Sequence, residues 1–492
     1  MIKKFTILIG FLLVLAGFVN AEDIFDCQVL DEEGTEYILQ NDINTNELLC
    51  IDIQANDITL DCNDHSINGN LIRNSEGIYA HGLNHQPIEN IEVRNCAVSN
   101  WYTGINFASV RGSTIRDSDI YDNDMRGIDL LGENVEISGN NIENNGKYGI
   151  DLSGSSNNRI RDNNINHNNM DGQMNGYGIY LYNSNFNLIN NNIIDNNDIG
   201  IYTRGEDFGH NGRDNIMTNN EITNGVEYGI YIHHGSNNHV INTLLQDNGV
   251  DFFVRVSTDN GCNQILDNVI GTNGLPILFF NGETHLGDVE ASEIFLCNAD
   301  DSTIDGITIN NGEEQNNGIY LMRTENTILS DVNVDNSNDG IYLYNSNNNE
   351  VRYSSSTNNK NYGIHLYRSQ NNEIHGNYFM ENDDGGVYLD FADDNNIVNN
   401  VFNNVDNVEN EDEDDDNSWN LPEIVRRGVR NIIGGPSLGG NYWATPNGNG
   451  FSQICNDFNR NGICDEGYQL DENNVDEFPL TIIGNNVPIL TY

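Results

Sequence analysis

The chain has 492 residues and a formal net charge of −54, from 21 Lys and Arg against 75 Asp and Glu. So acidic a surface repels nucleic acid and anionic lipid, and leaves divalent cations and neutral polymers as better-matched partners. No segment carries a sustained helical period; short apolar stretches alternate with Asn, Gly, Asp and Ser instead.

In chain order, residues 1–21 read as a secretory signal. Lys3 and Lys4 form the charged start, Ile7–Val19 is an apolar run short for a membrane span, and Val19-Asn20-Ala21 offers a cleavage site. The expectation is a secreted, extracellular or cell-surface protein with no membrane insertion after cleavage. The eight cysteines lie beyond that cut: Cys27, Cys50, Cys62, Cys96, Cys262, Cys297, Cys455 and Cys464. An even number in an exported chain favours disulfides. Connectivity is not readable from sequence; local pairing would give Cys27–Cys50, Cys62–Cys96, Cys262–Cys297 and Cys455–Cys464. Residues 22–75 are expected to form an N-terminal cap.

Residues 76–404 repeat. A lead glycine recurs at Gly104, Gly127, Gly149, Gly178, Gly200, Gly229, Gly318, Gly340, Gly363 and Gly386, with Asp251 and Glu293 in the same slot. In Gly340-Ile341-Tyr342-Leu343-Tyr344 the apolar residues alternate with period two, so Ile341 and Leu343 face one way and the tyrosines the other. Asn163-Asn164-Ile165 and Asn191-Asn192-Ile193 supply further apolar positions between turns. A unit of this size cannot bury its own apolar face, but stacked units can. The fold class is therefore all-β: a single-stranded parallel β-helix, a solenoid with caps at both ends. Strands of successive turns would pair about 4.8 Å apart, and Asn in register would form amide ladders.

Residues 405–420 contain the run Glu409–Asp416 and read as an acidic excursion. Residues 421–492 form a C-terminal cap. Within it, Asp457, Asn459, Asn461 and Asp465 place oxygen donors at positions 1, 3, 5 and 9 of a loop, with Gly462 at position 6 and the Ile463 carbonyl as a further ligand. That spacing wraps a hard cation, so Ca2+ in a structural role is expected. Position 12 is Tyr468, not the Glu of an EF-hand.

"ITLDCNDHSINGN" (58–70), the "GIYLYNSNNNEV" rungs, "PILFFNG" (276–282), "IIGGPSLGGNYW" (432–443) and "DEFPL" (476–480) together resemble the right-handed parallel β-helix proteins of the carbohydrate-binding and sugar-hydrolysis (CASH) type, including NosD-like proteins. The resemblance covers most of residues 50–484. It implies the right-handed winding; it implies little about activity, because this fold carries lyases, hydrolases, adhesins and surface-layer components alike.

Two residues after each lead glycine stands an outward column that includes Asp129, Asp151, Tyr180, Tyr202, Tyr231, Phe295, Tyr320 and Tyr342. Two further on stand Tyr182, Arg204, His233, Arg255 and Met322. Sugar rings lie on aromatic rings while Arg and His bond hydroxyls. Tyr180, Tyr182, Tyr202, Arg204, Tyr231 and His233 therefore form the expected carbohydrate track, beside the two lengthened loops at His167–Tyr177 and Arg204–Asn215. The function read from this is binding of a polysaccharide or cell-surface glycan by a monomer. One alternative is a polysaccharide lyase or glycoside hydrolase on the same face, with Asp129, Asp151, Asp207, His210 and Arg213 as catalytic candidates, since carboxylates on adjacent turns approach the spacing of a retaining glycosidase. Another is a structural envelope component or a NosD-like copper-related factor. The balance leans away from an enzyme. Copper is disfavoured because His233-His234, Met170 with Met174, and Met322 form no cluster, consecutive strand residues pointing to opposite faces.

Overall fold

The computed structural model describes residues 20–82, 86–169, 175–206, 212–312, 316–411, 416–426, 428 and 430–483. One turn shows how the sequence makes the fold. The strands Tyr177–Tyr182, Leu188–Asn190 and Ile193–Asp195 are three sides of a coil. Ile179, Leu181, Ile189 and Ile194 point inward and are buried. Each side pairs in parallel with its copy one turn on, as in Ile179↔Ile201, Ile189↔Met217 and Ile194↔Ile222. The corners are made by left-handed residues, Asn191 at φ 57° and Asn196 at φ 51° among them, a conformation that Asn tolerates better than most side chains. The residue after each such corner turns inward, which puts Asn192 and Asn197 in the core and leaves Ile193 exposed. Ile193 is thus an outward residue, and Ile194 supplies the apolar position of that strand.

The inward asparagines stack. Asn123, Asn145, Asn168 and Asn197 join amide to amide, Nδ2 to Oδ1, at 2.9, 2.9 and 3.1 Å. Asn145 Nδ2 also donates to the Ile120 carbonyl, and its backbone N–H donates to Asn168 Oδ1. Every polar atom of such a side chain is used, which is what allows it to be buried. The lead glycines are fixed by space: a Cβ on Gly178 would lie 2.7 Å from the Gly200 carbonyl oxygen and 2.7 Å from Ile194 Cγ2.

The turns form two ladders rather than one. Three parallel sheets of 11, 9 and 11 strands make the first, from Asn20–Ile24 to Ile265–Asp267. A 7-stranded and an 11-stranded sheet make the second, from Ile277–Phe280 onward. The segment 22–75, expected as a cap, is already built of rungs, since Gln28–Leu30, Leu49–Ile53 and Glu76–His81 pair in succession. The four disulfides are Cys27–Cys50, Cys62–Cys96, Cys262–Cys297 and Cys455–Cys464.

The second ladder lies across the end of the first. Its outer residues Phe279 and Phe295 meet Phe252, an inward residue of the first ladder, with ring centroids 6.2 and 5.5 Å apart. Phe295, Tyr320 and Met322, expected on the solvent side, are buried there at 1% exposure each. The physical reason is that an open ladder end exposes core and strand edges, and the second ladder's own outer face covers them. Cys262–Cys297 and the Arg323–Asp259 ion pair at 2.6 Å hold the elbow. Asp251 and Glu293 replace the lead glycine at this elbow, where the stack is interrupted. Asp251 accepts from Asn248, Thr272 and Asn316, and Glu293 accepts the backbone N–H of Phe252 and Asn317.

At the far end, Val408–Asn410 continues the second ladder by pairing with Gly385–Asp390, and Trp419 is buried. The span 405–420, expected as an excursion, is therefore folded at both its sides, with 412–415 outside the described residues. Trp443 stacks on Phe402 at 4.7 Å and closes the core. Asp476 accepts the Trp443 indole N–H and the Asn441 N–H, both at 2.8 Å. The two tail motifs, 432–443 and 476–480, are the two halves of this lid.

Candidate functional site

Three outward columns run along one sheet of the first ladder. The residue before each lead glycine gives Arg126, Tyr148, Tyr177, Ile199 and Tyr228 in register. The column two residues after it gives Asp129, Asp151, Tyr180, Tyr202, Tyr231 and Phe253. The third gives Ser153, Tyr182, Arg204, His233 and Arg255. The rings of the first two columns interleave into a continuous strip: Tyr148–Tyr177 at 5.3 Å, Tyr177–Tyr202 at 5.5 Å, Tyr202–Tyr231 at 4.9 Å and Tyr231–Phe253 at 5.3 Å. The column containing Tyr148, Tyr177 and Tyr228 was missed in the sequence, although "YGI" announces it at each of these turns.

Crowding changes what the rings can do. Burial pushes the hydroxyls of Tyr177, Tyr180 and Tyr231 up to about 12, so they remain neutral donors. Tyr202 is only 7% exposed and its hydroxyl lies 2.9 Å from His233 Nδ1, so it is a supporting ring rather than a presented one. Tyr182 is presented, at 37% exposure, stacked over Tyr180 with the Arg204 guanidinium 5.9 Å from its ring. Arg255 stands close to Tyr231 and to Tyr344 of the second ladder, so the strip bends into the elbow. At the other end of these strands, Asp198 accepts from Asn169 and Gly176, and Glu227 accepts from Asn175.

The strip ends in charge. Asp129 and Asp151 lie opposite each other on adjacent turns. Between them sits Arg126, unnoticed in the sequence, with Nε 2.8 Å from Asp151 and 3.6 Å from Asp129. Asp151 is nearly buried and accepts from Ser153 as well. Asp129 is more open; burial first, then the Asp151 charge, pushes its carboxyl up to about 6 against the opposing pull of Arg126. Such a carboxyl holds its proton over part of the neutral range and can act as a general acid. Arg213 does not join this pair. It follows the strand Ile199–Arg204, three turns along, and pairs with Asp214 at 3.4 Å beside an Asn-lined cavity of about 540 Å³. Asp207 and His210 lie outside the described residues.

The tail loop is folded around its acids. Asp457 accepts the N–H groups of Asn461 and Gly462 at 3.0 and 2.9 Å, and Asp465 accepts that of Phe458 at 2.9 Å. Asn461 Oδ1 accepts the Ile463 N–H, and Gly462 takes φ 82°. Asp457, Asn459, Asn461, Ile463 and Asp465 thus form one tight turn closed by Cys455–Cys464, and the all-oxygen donor set fits a hard cation such as Ca2+.

Soft-metal candidates distribute differently from the sequence expectation. His233 and His234 do not point to opposite faces: their rings lie 4.1 Å apart, because the strand ends at His233 and His234 turns left-handed at φ 60°. Met322 is buried in the elbow, and Met170 and Met174 lie outside the described residues. Among the described residues, Glu350, Glu373 and His375 bring ligand atoms within 4.8 Å of one another. Glu350 there already holds Arg352 at 2.8 Å and His375 at 3.0 Å.

The family model described as periplasmic copper-binding protein (NosD) matches residues 286–448, and that of the right-handed beta helix region matches 56–209 and 174–287. No curated protein matches the sequence. Among solved structures, the chain is similar to the Dettilon tailspike protein, at 16% identity and TM-score 0.37, over 64% of this chain and 59% of that one. It thus spans less than two thirds of that tailspike. It is also similar to a tailspike of E. coli bacteriophage HK620 in complex with pentasaccharide, at 9% identity and TM-score 0.39, over 81% and 71%. A third is the A-module of the Azotobacter vinelandii mannuronan C-5 epimerase AlgE6, at 13% identity and TM-score 0.28, over 75% and 80%. The stacked parallel turns and the two family matches, one on each ladder, make the chain a right-handed β-helix repeat protein of the NosD-like type.

Proposed function

We propose that the tyrosine face binds polysaccharide, with the chain working outside the cytosol, where its four disulfides persist. The observation that carries this is the strip itself. Aromatic side chains stand in register on one sheet, with arginines along one margin and Asp129 and Asp151 at one end. Rings offer flat apolar faces to sugar CH groups, and the neutral tyrosine hydroxyls, Arg204 and His233 bond hydroxyls. An immobilised polysaccharide panel tests it: retention of the intact protein on at least one polymer supports the reading, and retention on none overturns it.

A second reading, hydrolysis or lysis of the bound chain, is favoured by one observation: the carboxyl of Asp129, pushed up to about 6 at the end of the strip. Incubation with any retained polymer and analysis of chain length decides it. Shortening that Asp129→Asn abolishes, with binding intact, supports catalysis; an unchanged polymer leaves a binding protein. For the tail we propose a structural calcium ion held by Asp457, Asn459, Asn461, Asp465 and the Ile463 carbonyl, which would secure the lid of the second ladder.

A further inference from the structure

We propose that the glycan taken by the tyrosine face is acidic, with its carboxylates or sulfates seated on Arg204 and Arg255; this rests on the polysaccharide reading above. With 75 acidic residues against 21 basic ones, about half of the described arginines pair with a carboxylate. Arg94, Arg116, Arg126, Arg161 and Arg352 each do, at 2.6 to 2.8 Å. Arg204 and Arg255, like Arg73, Arg159 and Arg368, have no carboxylate partner among the described residues, but these two stand in the column that borders the tyrosine strip of the first ladder. Arg204 instead lies exposed over the Tyr182 ring, and Arg255 stands beside Tyr231 and Tyr344.

The two stand in one row, in register on either side of His233. Adjacent turns are about 4.8 Å apart, so two guanidiniums share one margin of the strip about two turns from each other. The acids Asp198 and Glu227 precede the strands of Arg204 and His233 at their other end, where they accept from Asn169, Gly176 and Asn175. Anionic groups spaced along a polymer can meet the two guanidiniums in turn. The planar guanidinium also matches carboxylate and sulfate geometry with paired N–H groups.

The net charge of −54 does not exclude such a ligand. Exposed charges beyond a Debye length of about 8 Å at physiological salt are largely screened, so the local row decides the contact. The same row orients the glycan, whose anionic edge faces the arginines.

Calorimetric titration of the intact protein with polygalacturonate, dextran sulfate and uncharged dextran tests this. The expected result is that at least one anionic polymer binds at least tenfold tighter than dextran, and which one does so separates carboxylate from sulfate. Arg204→Gln should remove that tenfold margin without lowering the melting temperature, and Arg255→Gln gives an independent second variant. Dextran binding as tightly as both anionic polymers, or an anionic preference that survives in both variants, overturns the acidic assignment and leaves the polysaccharide reading standing. Binding to none of the three, together with an empty polysaccharide panel, overturns both.

Discussion

Ile193 and Ile194 are chemically identical neighbours on one strand, yet the first is 51% exposed and the second fully buried. The difference comes from the corner at Asn191, which sets which residue turns inward. Ile194→Asp puts an unpaired charge into the stacked core and should cost more than about 4 kcal/mol, while Ile193→Asp leaves its charge in water and should stay within about 0.5 kcal/mol. Urea unfolding of the two variants checks it; equal losses would mean that the inside and outside of the ladder are misassigned. Tyr342 would be a poor outward control, because its ring is packed against Tyr320 and His365 at 4.8 and 4.0 Å. The alternation of the strands that follow the lead glycines was legible in the sequence, but the corner that turns Ile194 rather than Ile193 inward was not. Whether an outward residue meets solvent or another ladder was not, since that depends on turns far away along the chain.

The tail illustrates what a motif is for. Gly440 lies against the Asp476 carboxylate, so a side chain there would collide with it. Trp443, Asn441 and Phe478 all donate to that carboxylate. Burial nevertheless outweighs these bonds and pushes the Asp476 carboxyl up to about 7. A raised carboxyl favours the folded lid when protonated, so its contribution is fully present below the ordinary carboxylate range and is lost as pH rises through about 7. Hydrogen exchange across 440–443 and 476–480 should therefore speed up between pH 4 and pH 8 beyond the intrinsic pH dependence. In Asp476→Asn that extra acceleration should disappear; if it persists in the variant, another group is responsible. The loop at 455–465 gives a second test of the same element. Calcium should slow exchange across 455–480 and a chelator should reverse this, with the first ladder unaffected. Unchanged protection, with no heat of calcium binding, would remove the ion from the account. The oxygen spacing of this loop was legible in the sequence; that its acids also cap backbone N–H groups was not, because the turn geometry alone sets it.

At the scale of the whole molecule, the repeat announced the turns and their stacking but concealed the elbow. The sequence carried a signal all the same. No lead glycine stands between Gly229 and Gly318, and Asp251 and Glu293 fill the slot instead. Both carboxyls end up buried and are raised, Glu293 well above its ordinary range. The elbow also divides the aromatic column: its first part faces solvent and its second part begins as a lid on the first ladder. The presented surface is consequently shorter than the column, and it centres on Tyr180, Tyr182, Arg204, Tyr231 and Arg255.

The comparison of Tyr182→Ala with Tyr353→Ala tests that surface most directly. Both tyrosines are exposed and both variants spare the core, but Tyr353 stands at a corner of the second ladder, just after the strand Glu350–Arg352. On a polysaccharide that retains the wild-type protein, Tyr182→Ala should weaken binding about tenfold, a loss of about 1.4 kcal/mol, at an unchanged melting temperature, while Tyr353→Ala binds as the wild type does. Normal binding by Tyr182→Ala, or an equal loss in both variants, would contradict a glycan site on the tyrosine face.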